Sequence, residues 1–243
     1  VEVFTAEDSL GWVYQFWQSE QKEAVNRSGS KIGADEIAPV TQLFTEDYMV
    51  LFLLHNTLGA WWAAKRLKQS EGGARAASEA EARAAVSLPG VNWEYLRFVR
   101  DEESGRWRPA AGNFEGWPRS AKELRLLDPS MGSGHFLAAE LPVLTAMRME
   151  EEGLSLPEAV AAVLRDNLFG LEIDPRCAQI AAFNLALAAW KLAGWRNLPP
   201  LNLACSGLAP QSRLEEWTAL AGRDSALKNG MDRLYHLFRD API

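Results

Sequence analysis

Cysteine is scarce in this chain of 243 residues, which contains Cys177 and Cys205 and no others. Two cysteines exclude a disulfide framework and are typical of a reducing compartment, so we expect a cytoplasmic protein. Long apolar runs are also missing. The best candidate, 177–190, lies between Arg176 and Lys191 and is shorter than the roughly 18 residues that a membrane helix needs. We therefore predict no membrane partner.

Basic charge is the second shortage. The chain has 25 lysines and arginines against 32 aspartates and glutamates, a net charge of -7, and carboxylates are in excess in both 1–120 and 121–243. Nucleic-acid-binding proteins usually carry a basic footprint. Charge alone therefore argues against DNA binding by these residues. The three histidines have no cysteine or carboxylate at metal-ligand spacing, so we predict no metal site.

A change of pattern near Ser120 divides the chain into two predicted domains, 1–120 and 121–243. The first holds seven of the ten tryptophans and is expected to be mainly helical. Apolar spacing predicts one helix over 10–26, with Tyr14 and Trp17 on the same face. A second helix is predicted over 46–68, with Thr45 as its N-cap and the apolar residues 49–54 buried.

The biased stretch 70–87 fits either an exposed helix or a mobile connection. The second domain alternates short apolar strands with helical patterns. Predicted strands are 123–127, 167–173 and 201–205, and the helices between them are 135–152, 155–165 and 175–193. This alternation is typical of a parallel, doubly wound α/β sheet.

The first strand of the second domain is followed by a glycine-rich turn, Asp128-Pro-Ser-Met-Gly-Ser-Gly134. Glycines at the carboxyl end of a strand let the backbone turn sharply and approach a ligand closely. The turn is not a P-loop, because no Gly-Lys-Ser/Thr follows. Leu137 occupies the third glycine position of a dinucleotide fingerprint, which disfavours a nicotinamide cofactor. Alone, such a loop could be a tight turn without a ligand.

A carboxylate stands at the end of the next strand. Glu172 lies 44 residues after Asp128, in the sequence Gly170-Leu-Glu-Ile-Asp-Pro175. A carboxylate at this place in an α/β sheet can accept hydrogen bonds from a ribose diol. Asp174 is the competing candidate, but its position before Pro175 predicts the N-cap of the next helix. We therefore favour Glu172 as the ribose ligand.

These residues carry a family resemblance. The segment 128–137, Asp-Pro-Ser-Met-Gly-Ser-Gly-His-Phe-Leu, resembles motif I of the DNA adenine-N6 methyltransferases, the loop that binds S-adenosylmethionine. The segment 168–175 resembles their motif II, and 42–50 is similar to motif X. The tryptophan-rich opening resembles the large adenine methylases of phage defence, including the BREX type and related restriction-modification enzymes. The resemblance implies a partial Rossmann-like class I methyltransferase domain after a mainly helical N-terminal region.

The resemblance also implies roles for single residues. Thr45 would bind the methionine carboxylate of S-adenosylmethionine, and Asp128 its amino group. Glu172 would accept both ribose hydroxyls, and Ile173 would pack on the adenine. Where the family often has an acidic or amide side chain against the adenine amino group, either a backbone carbonyl of 204–207 or Ser206 would make the contact. The full cofactor-binding set is Thr45, Asp128, Pro129, Gly132, Ser133, Gly134, Glu172, Ile173 and Ser206.

The catalytic motif IV of this family, Asn/Asp-Pro-Pro-Tyr/Phe, is absent, because Pro199-Pro200 stands between Leu198 and Leu201. We expect the cofactor-binding part of a longer DNA adenine methyltransferase, inactive alone. The parent would flip its target base out of the duplex. It would contact DNA, and could contact defence-system subunits, through parts outside these residues. The alternatives are a methyltransferase of RNA or protein, and a non-catalytic S-adenosylmethionine-binding or assembly module.

Overall fold

A computed structural model describes residues 9–29, 40, 45–112, 114–206 and 213–240. The N-terminal part is mainly helical, as expected, and its short strands β1 and β2 form an antiparallel hairpin. The predicted helix 10–26 is confirmed as α1. The elements of this part are α1 (Ser9–Ser28), α2 (Asp47–Asn56), α3 (Leu58–Gln69), α4 (Glu71–Ala74), α5 (Glu79–Ala85), β1 (Phe98–Arg100) and β2 (Trp107–Pro109).

The single helix predicted over 46–68 is wrong, because the chain breaks at Thr57 into α2 and α3. Thr57 has φ −114° and ψ −81°, outside the helical region. Its hydroxyl donates to the carbonyl oxygen of Leu53 at 2.8 Å, a side-chain bond that competes with the helical backbone ladder. Asn56 donates to the carbonyl oxygens of Phe52 and Tyr95, which ties the break to the segment before β1.

Helix α2 is buried on one side only, which corrects the expectation of burial all round. Val50 and Leu54 are buried, whereas Met49, Phe52 and Leu53 are about half-exposed. A helix that packs through a single face leaves its other apolar side chains uncovered. Trp17 of α1 is likewise exposed, although the helical spacing placed it beside the buried Tyr14.

The second part contains a three-stranded parallel sheet in the order β3-β4-β5, so a mixed α/β architecture is confirmed. The first strand begins three residues later than predicted, because residues 121–123 form a 3₁₀ turn with a capping box at Ser120. The N-caps expected at Ser155 and Asp174 are confirmed. The elements are β3 (Leu126–Asp128), α6 (His135–Glu152), α7 (Leu156–Asp166), β4 (Leu168–Glu172), α8 (Pro175–Ala193), β5 (Asn202–Cys205), α9 (Leu214–Ala219) and α10 (Ser225–Asp240).

One hydrophobic core extends through both parts, from Val50 of α2 to Ala189 of α8. Beside this core, Lys65 and Arg66 of α3 pair with Glu151 and Glu150 at the end of α6. The helical region is therefore packed along α6. Among the described residues, no helix combines the length and the apolar character needed to cross a bilayer.

Candidate functional site

The glycine-rich turn lies where β3 leads into α6, at the carboxyl edge of the parallel sheet. The backbone N–H of Met131 donates to the carbonyl oxygen of Leu171 at 3.0 Å, which fastens the turn to β4. The N–H of Gly134 closes the turn on Met131 at 2.7 Å. Gly132 and Gly134 have φ of 53° and 79°, in the left-handed region that side chains with a Cβ rarely adopt.

Helix α8 supports the turn from one side. A Cβ on Gly134 would lie 3.0 Å from the Cβ of Ala181, so only glycine lets α8 approach this closely. Asn184 of the same helix donates its amide to the carbonyl oxygen of Ser133 at 2.9 Å. A Cβ on Gly132, in contrast, would meet nothing within 4 Å. The turn is thus fixed against α8 and open at Gly132.

Glu172 joins the glycine turn to the turn that follows β4. Its Oε2 accepts a hydrogen bond from the N–H of Gly132 at 2.8 Å. Its Oε1 accepts from the N–H groups of Ile173 and Asp174 at 2.8 and 2.9 Å. The side chain is buried. The carboxylate that the sequence singled out is therefore held against the open side of the loop by three backbone donors.

Asp128 ends β3 and lies half-buried beside the turn, with its Oδ1 accepting from the N–H of Ser130 at 3.1 Å. Burial raises the pKa of the Asp128 carboxyl, and the nearby charge of Glu172 adds to the rise. Glu140 of α6 was not predicted as a site residue. Burial, together with the charge of Asp128, raises its pKa to about 8. The carboxyl of Asp128 is thus electrostatically coupled to those of Glu172 and Glu140 around this turn.

A second contact that the sequence did not reveal holds the turn after β4. The hydroxyl of Tyr14 in α1 donates to Oδ2 of Asp174 at 2.5 Å, and Gln18 donates to that hydroxyl at 2.9 Å. Burial acts to raise the pKa of Asp174, but the hydrogen bonds from Tyr14 and Arg176 outweigh it and lower the pKa. Helix α1 is therefore attached to the residues that follow Glu172.

Ile173 and Ser206 lie at the same edge of the sheet. Ile173 is 43% exposed, which leaves its side chain available to a ring. The backbone N–H and the hydroxyl of Ser206 both donate to the carbonyl oxygen of Glu172, at 2.7 and 3.3 Å. The hydroxyl therefore joins β5 to β4 in this structure. Pro129 is exposed at the start of the turn.

Thr45 is not the N-cap of α2, which corrects one prediction. The helix begins at Asp47 with Glu46 in the cap position, and no side chain makes a capping hydrogen bond there. The start of α2 nevertheless lies near the glycine turn, because Oδ1 of Asp47 is 2.8 Å from Nε2 of His135, the first residue of α6. The contact between Asp47 and His135 therefore joins the starts of α2 and α6. It was not predicted from the sequence.

The nine predicted cofactor residues all lie in the described part of the chain, and eight of them stand on the turns at the carboxyl ends of β3, β4 and β5. Such an edge is where open α/β sheets bind ligands. The arrangement offers an open backbone turn, buried carboxylate oxygens and an exposed apolar side chain. No group of three or more metal-ligating side chains occurs within the ranges described.

Comparison with known proteins finds relatives of this chain. No protein-family model matches the chain. Curated relatives include the adenine-specific methyltransferase PglX of Lacticaseibacillus casei (strain Zhang), 33% identical over 180 residues, and BrxX of Escherichia coli O9:H4 (strain HS), 31% identical over 180 residues. The chain is homologous to part of these adenine-specific methyltransferases. The resemblance stated from the motifs is therefore confirmed.

These alignments include 73% and 74% of this chain but 14% and 13% of the two relatives, so the chain spans about one seventh of their length. A shorter match, 32% identical over 71 residues, is to a putative type II restriction enzyme and methyltransferase of Methanocaldococcus jannaschii. It includes 27% of this chain and 6% of that relative.

Proposed function

We propose that this chain is the S-adenosylmethionine-binding part of a DNA methyltransferase that modifies N6 of adenine in restriction-modification or phage defence. The names of the relatives support the adenine specificity. The observation that carries the proposal is the position of Glu172. Its carboxylate lies between the glycine turn and Ile173, where a nucleoside ribose would meet it.

The residues present fit that cofactor. The space next to Gly132 is open, so the backbone offers room for the methionine chain. Asp128 stands at the end of β3 beside the turn, where its carboxylate would face the ammonium group. The exposed Ile173 offers an apolar surface to the adenine. Thr45 would reach the methionine carboxylate from the start of α2, and Ser206 would lie near the adenine amino group.

The hydrogen bonds of Glu172 suggest how its site would accept a ribose. A carboxylate has about four acceptor positions, and backbone donors occupy three of them here. A diol needs two. We therefore expect the bond from Gly132 to Oε2 to be released when the cofactor binds, while Ile173 and Asp174 keep Oε1 in place.

The sheet supports the finer fold assignment, one half of a Rossmann-like class I methyltransferase domain. Strands β3, β4 and β5 are parallel and in sequential order, with helices α6, α7 and α8 between them. In the described residues, β3 pairs with β4 alone, and Leu127 on β3 is 63% exposed. The open side of β3 is where further strands of such a sheet would pair.

Methyl transfer needs more than this site. S-adenosylmethionine supplies an electrophilic methyl group on its sulfonium sulfur. The protein must then hold the N6 amine of a flipped adenine in line with that methyl group, so positioning is the main catalytic contribution. The Asn/Asp-Pro-Pro-Tyr/Phe motif that would orient the amine does not occur in this sequence. We therefore expect these residues to bind the cofactor without methylating DNA.

Calorimetric titration of the 243-residue chain with S-adenosylmethionine tests the proposal. The unmodified chain should bind one equivalent, and Glu172→Ala and Asp128→Ala should each weaken binding by about tenfold or more, since a lost charged hydrogen bond contributes about 1.5–3 kcal/mol. Glu102→Ala, an exposed carboxylate between β1 and β2, is the matched control and should bind normally.

Thermal unfolding of each variant verifies that it is folded before the titration is compared. Absence of heat with the folded, unmodified chain would contradict the proposed function. Equal affinities for the unmodified chain, Glu172→Ala and Asp128→Ala would contradict the residue assignments.

A further inference from the structure

A groove remote from the glycine turn combines aromatic side chains with cations. It has a volume of about 900 Å³ and lies between the second half of α3, strand β2 and the segment 114–119. This size is in the upper part of the range of about 300–1,000 Å³ that is usual for ligand pockets. Its aromatic side chains are Trp61, Trp107, Phe114 and Trp117, and its cations are Lys65, Lys68, Arg106, Arg108 and Arg119.

The aromatic rings are held in fixed positions. The indole N–H of Trp61, which is buried, donates to the carbonyl oxygen of Pro118 at 3.1 Å. Trp107 donates to the carbonyl oxygen of Ala76 at 3.0 Å. Trp117 is 41% exposed and meets Phe114 edge to face, with ring centroids 4.9 Å apart. The groove therefore presents an exposed indole on a rigid aromatic support.

Three of the cations are not engaged in a hydrogen bond or an ion pair within the described residues. Lys68, Arg108 and Arg119 are exposed, and their side chains make no hydrogen bond or ion pair in the part of the chain that the structure describes. Lys65, in contrast, is committed to Glu151 and to a backbone carbonyl.

Carboxylates are few in this groove, whose lining includes Asp101 and Glu115 and no other acidic side chain. Asp101 already accepts from the N–H and the hydroxyl of Ser104. Those bonds lower its pKa, and the charge of Arg108 contributes to the shift. The groove is therefore locally cationic in a chain whose net charge is -7.

We propose that this groove binds single-stranded nucleic acid, with phosphates on Lys68, Arg108 and Arg119 and a base stacked on Trp117. Proteins that bind single strands combine cations for the phosphates with aromatic side chains for the bases, because the base faces of a single strand are accessible. An acidic polypeptide would use the cations and leave Trp117 without a role. A duplex would keep its base faces inside the stack. The proposal rests on the proposed function for its choice of DNA as the nucleic acid.

The groove is separated from the cofactor loop by the length of α6. The glycine turn precedes the first residue of this 18-residue helix, and α3 pairs with Glu150 and Glu151 in its last turn. At 1.5 Å per residue the helix is about 27 Å long. The two sites can therefore be tested independently. That the parent protein contacts DNA through parts outside these residues stays a prediction, and the groove would add a contact for a single strand.

Fluorescence anisotropy with a short labelled DNA oligonucleotide, measured over a series of salt concentrations, tests the cations. Each phosphate contact contributes about 0.7 to the slope of log affinity against log salt for a single strand. The triple variant Lys68→Gln, Arg108→Gln, Arg119→Gln should lower that slope by about 2. The matched control Lys191→Gln, Arg223→Gln, Lys228→Gln removes three exposed charges outside the groove and should leave the slope unchanged.

The aromatic contact has its own variant. Trp117→Ala should weaken single-strand binding by about tenfold with little change in the salt slope, because stacking is not a charge interaction. Trp195→Ala, which removes an indole that is 80% exposed on the other part of the chain, should bind as the unmodified protein does.

Three results would overturn the inference: no binding at low salt, equal affinity for a duplex of the same length, or displacement of the oligonucleotide by polyglutamate as efficiently as by unlabelled DNA. S-adenosylmethionine titrations on the same samples keep the two proposals apart. Loss of oligonucleotide binding with intact cofactor binding would contradict the groove alone, and the reverse would contradict the cofactor site alone.

Discussion

Tyr14 and Asp174 are separated by 160 residues in sequence and share one of the shortest hydrogen bonds in the site. Asp174 has three tasks, since it caps α8, pairs with Arg176 and accepts from Tyr14. Its backbone N–H also holds Oε1 of Glu172. A contact made by α1 therefore reaches the carboxylate of Glu172 through a single residue.

Substituting Tyr14→Phe removes the hydroxyl and leaves the buried Oδ2 of Asp174 with one partner fewer. We expect the free energy of unfolding to fall by about 1–3 kcal/mol at neutral pH, measured by urea denaturation. Because the hydrogen bond lowers the pKa of Asp174, its contribution is present above the ordinary pKa of about 3.9 and is lost as the pH falls through the folded value.

The difference between Tyr14→Phe and the unmodified chain should therefore shrink under acidic conditions. Tyr48→Phe is the matched control, because Tyr48 is 53% exposed on α2. A loss of stability that is equal in both variants, or that does not change with acidification, would contradict this role for Tyr14.

Glu140 is expected to destabilise the folded chain at neutral pH. It is buried, and its Oε2 has no hydrogen-bond partner in the described structure. Burial raises its pKa from 4.5 to about 8, so the folded chain retains a proton that the unfolded chain releases. The carboxyl therefore lowers stability progressively as the pH rises from about 4.5 to 8, and the full effect is reached above the folded pKa.

Glu140→Gln should consequently raise the melting temperature at pH 8 and leave it nearly unchanged at pH 5. Glu158→Gln, an exposed carboxylate of the α7 capping box, has a lowered pKa and should lose stability at pH 8. If Glu140→Gln were equally stabilising at both pH values, the carboxyl would not titrate as we infer.

At the scale of the elements, the contact between the glycine turn and α8 determines the shape of the site. We expect Gly134→Ala to destabilise the chain by about 1–3 kcal/mol, because it forces a left-handed residue with a side chain against Ala181. Gly153 has a similar backbone conformation, with φ of 67°, but a Cβ added there would meet nothing within 4 Å, so Gly153→Ala is the matched comparison. It should cost less, and the difference in urea midpoint measures the packing of α8. Equal losses would contradict a close contact.

Elements with local signals were predictable from the sequence. The caps at Ser155 and Asp174 and the glycine stops of α6 and α8 depend on residues within one turn of the helix end. The break at Thr57 was not predictable, because it depends on side-chain bonds from Asn56 and Thr57 and on a partner carbonyl near β1. The half-exposed face of α2 was missed for a related reason, since periodicity does not reveal which apolar side chains find a neighbour.

The candidate site divides in the same way. Asp128, Gly132 and Glu172 could be predicted because a strand end followed by a glycine turn or a carboxylate is a local pattern. Tyr14 and Glu140 could not, because their importance arises from distant chain segments meeting in space. Asn184 left a weak signal as the one amide in the otherwise apolar stretch 180–190 of α8.

At the scale of the whole molecule, net charge proved a poor guide to local surfaces. The carboxylates that make the chain acidic include those paired at the end of α6 and those around the glycine turn. The unpaired cations Lys68, Arg108 and Arg119 converge on one groove instead. The charge of -7 therefore describes an average over surfaces that are rich in carboxylates and a groove that is locally cationic.

Hydrogen exchange with and without S-adenosylmethionine tests the central claim most directly, because it locates the cofactor on the chain. We expect slower exchange at the amides of residues 130, 131, 133, 134, 173 and 174 when the cofactor is added. The amide of Gly132 is left out, because its hydrogen bond to Glu172 is expected to be released. The hairpin of β1 and β2 should exchange at an unchanged rate. Protection confined to other segments, or no protection at a cofactor concentration where calorimetry detects binding, would contradict the proposed cofactor site.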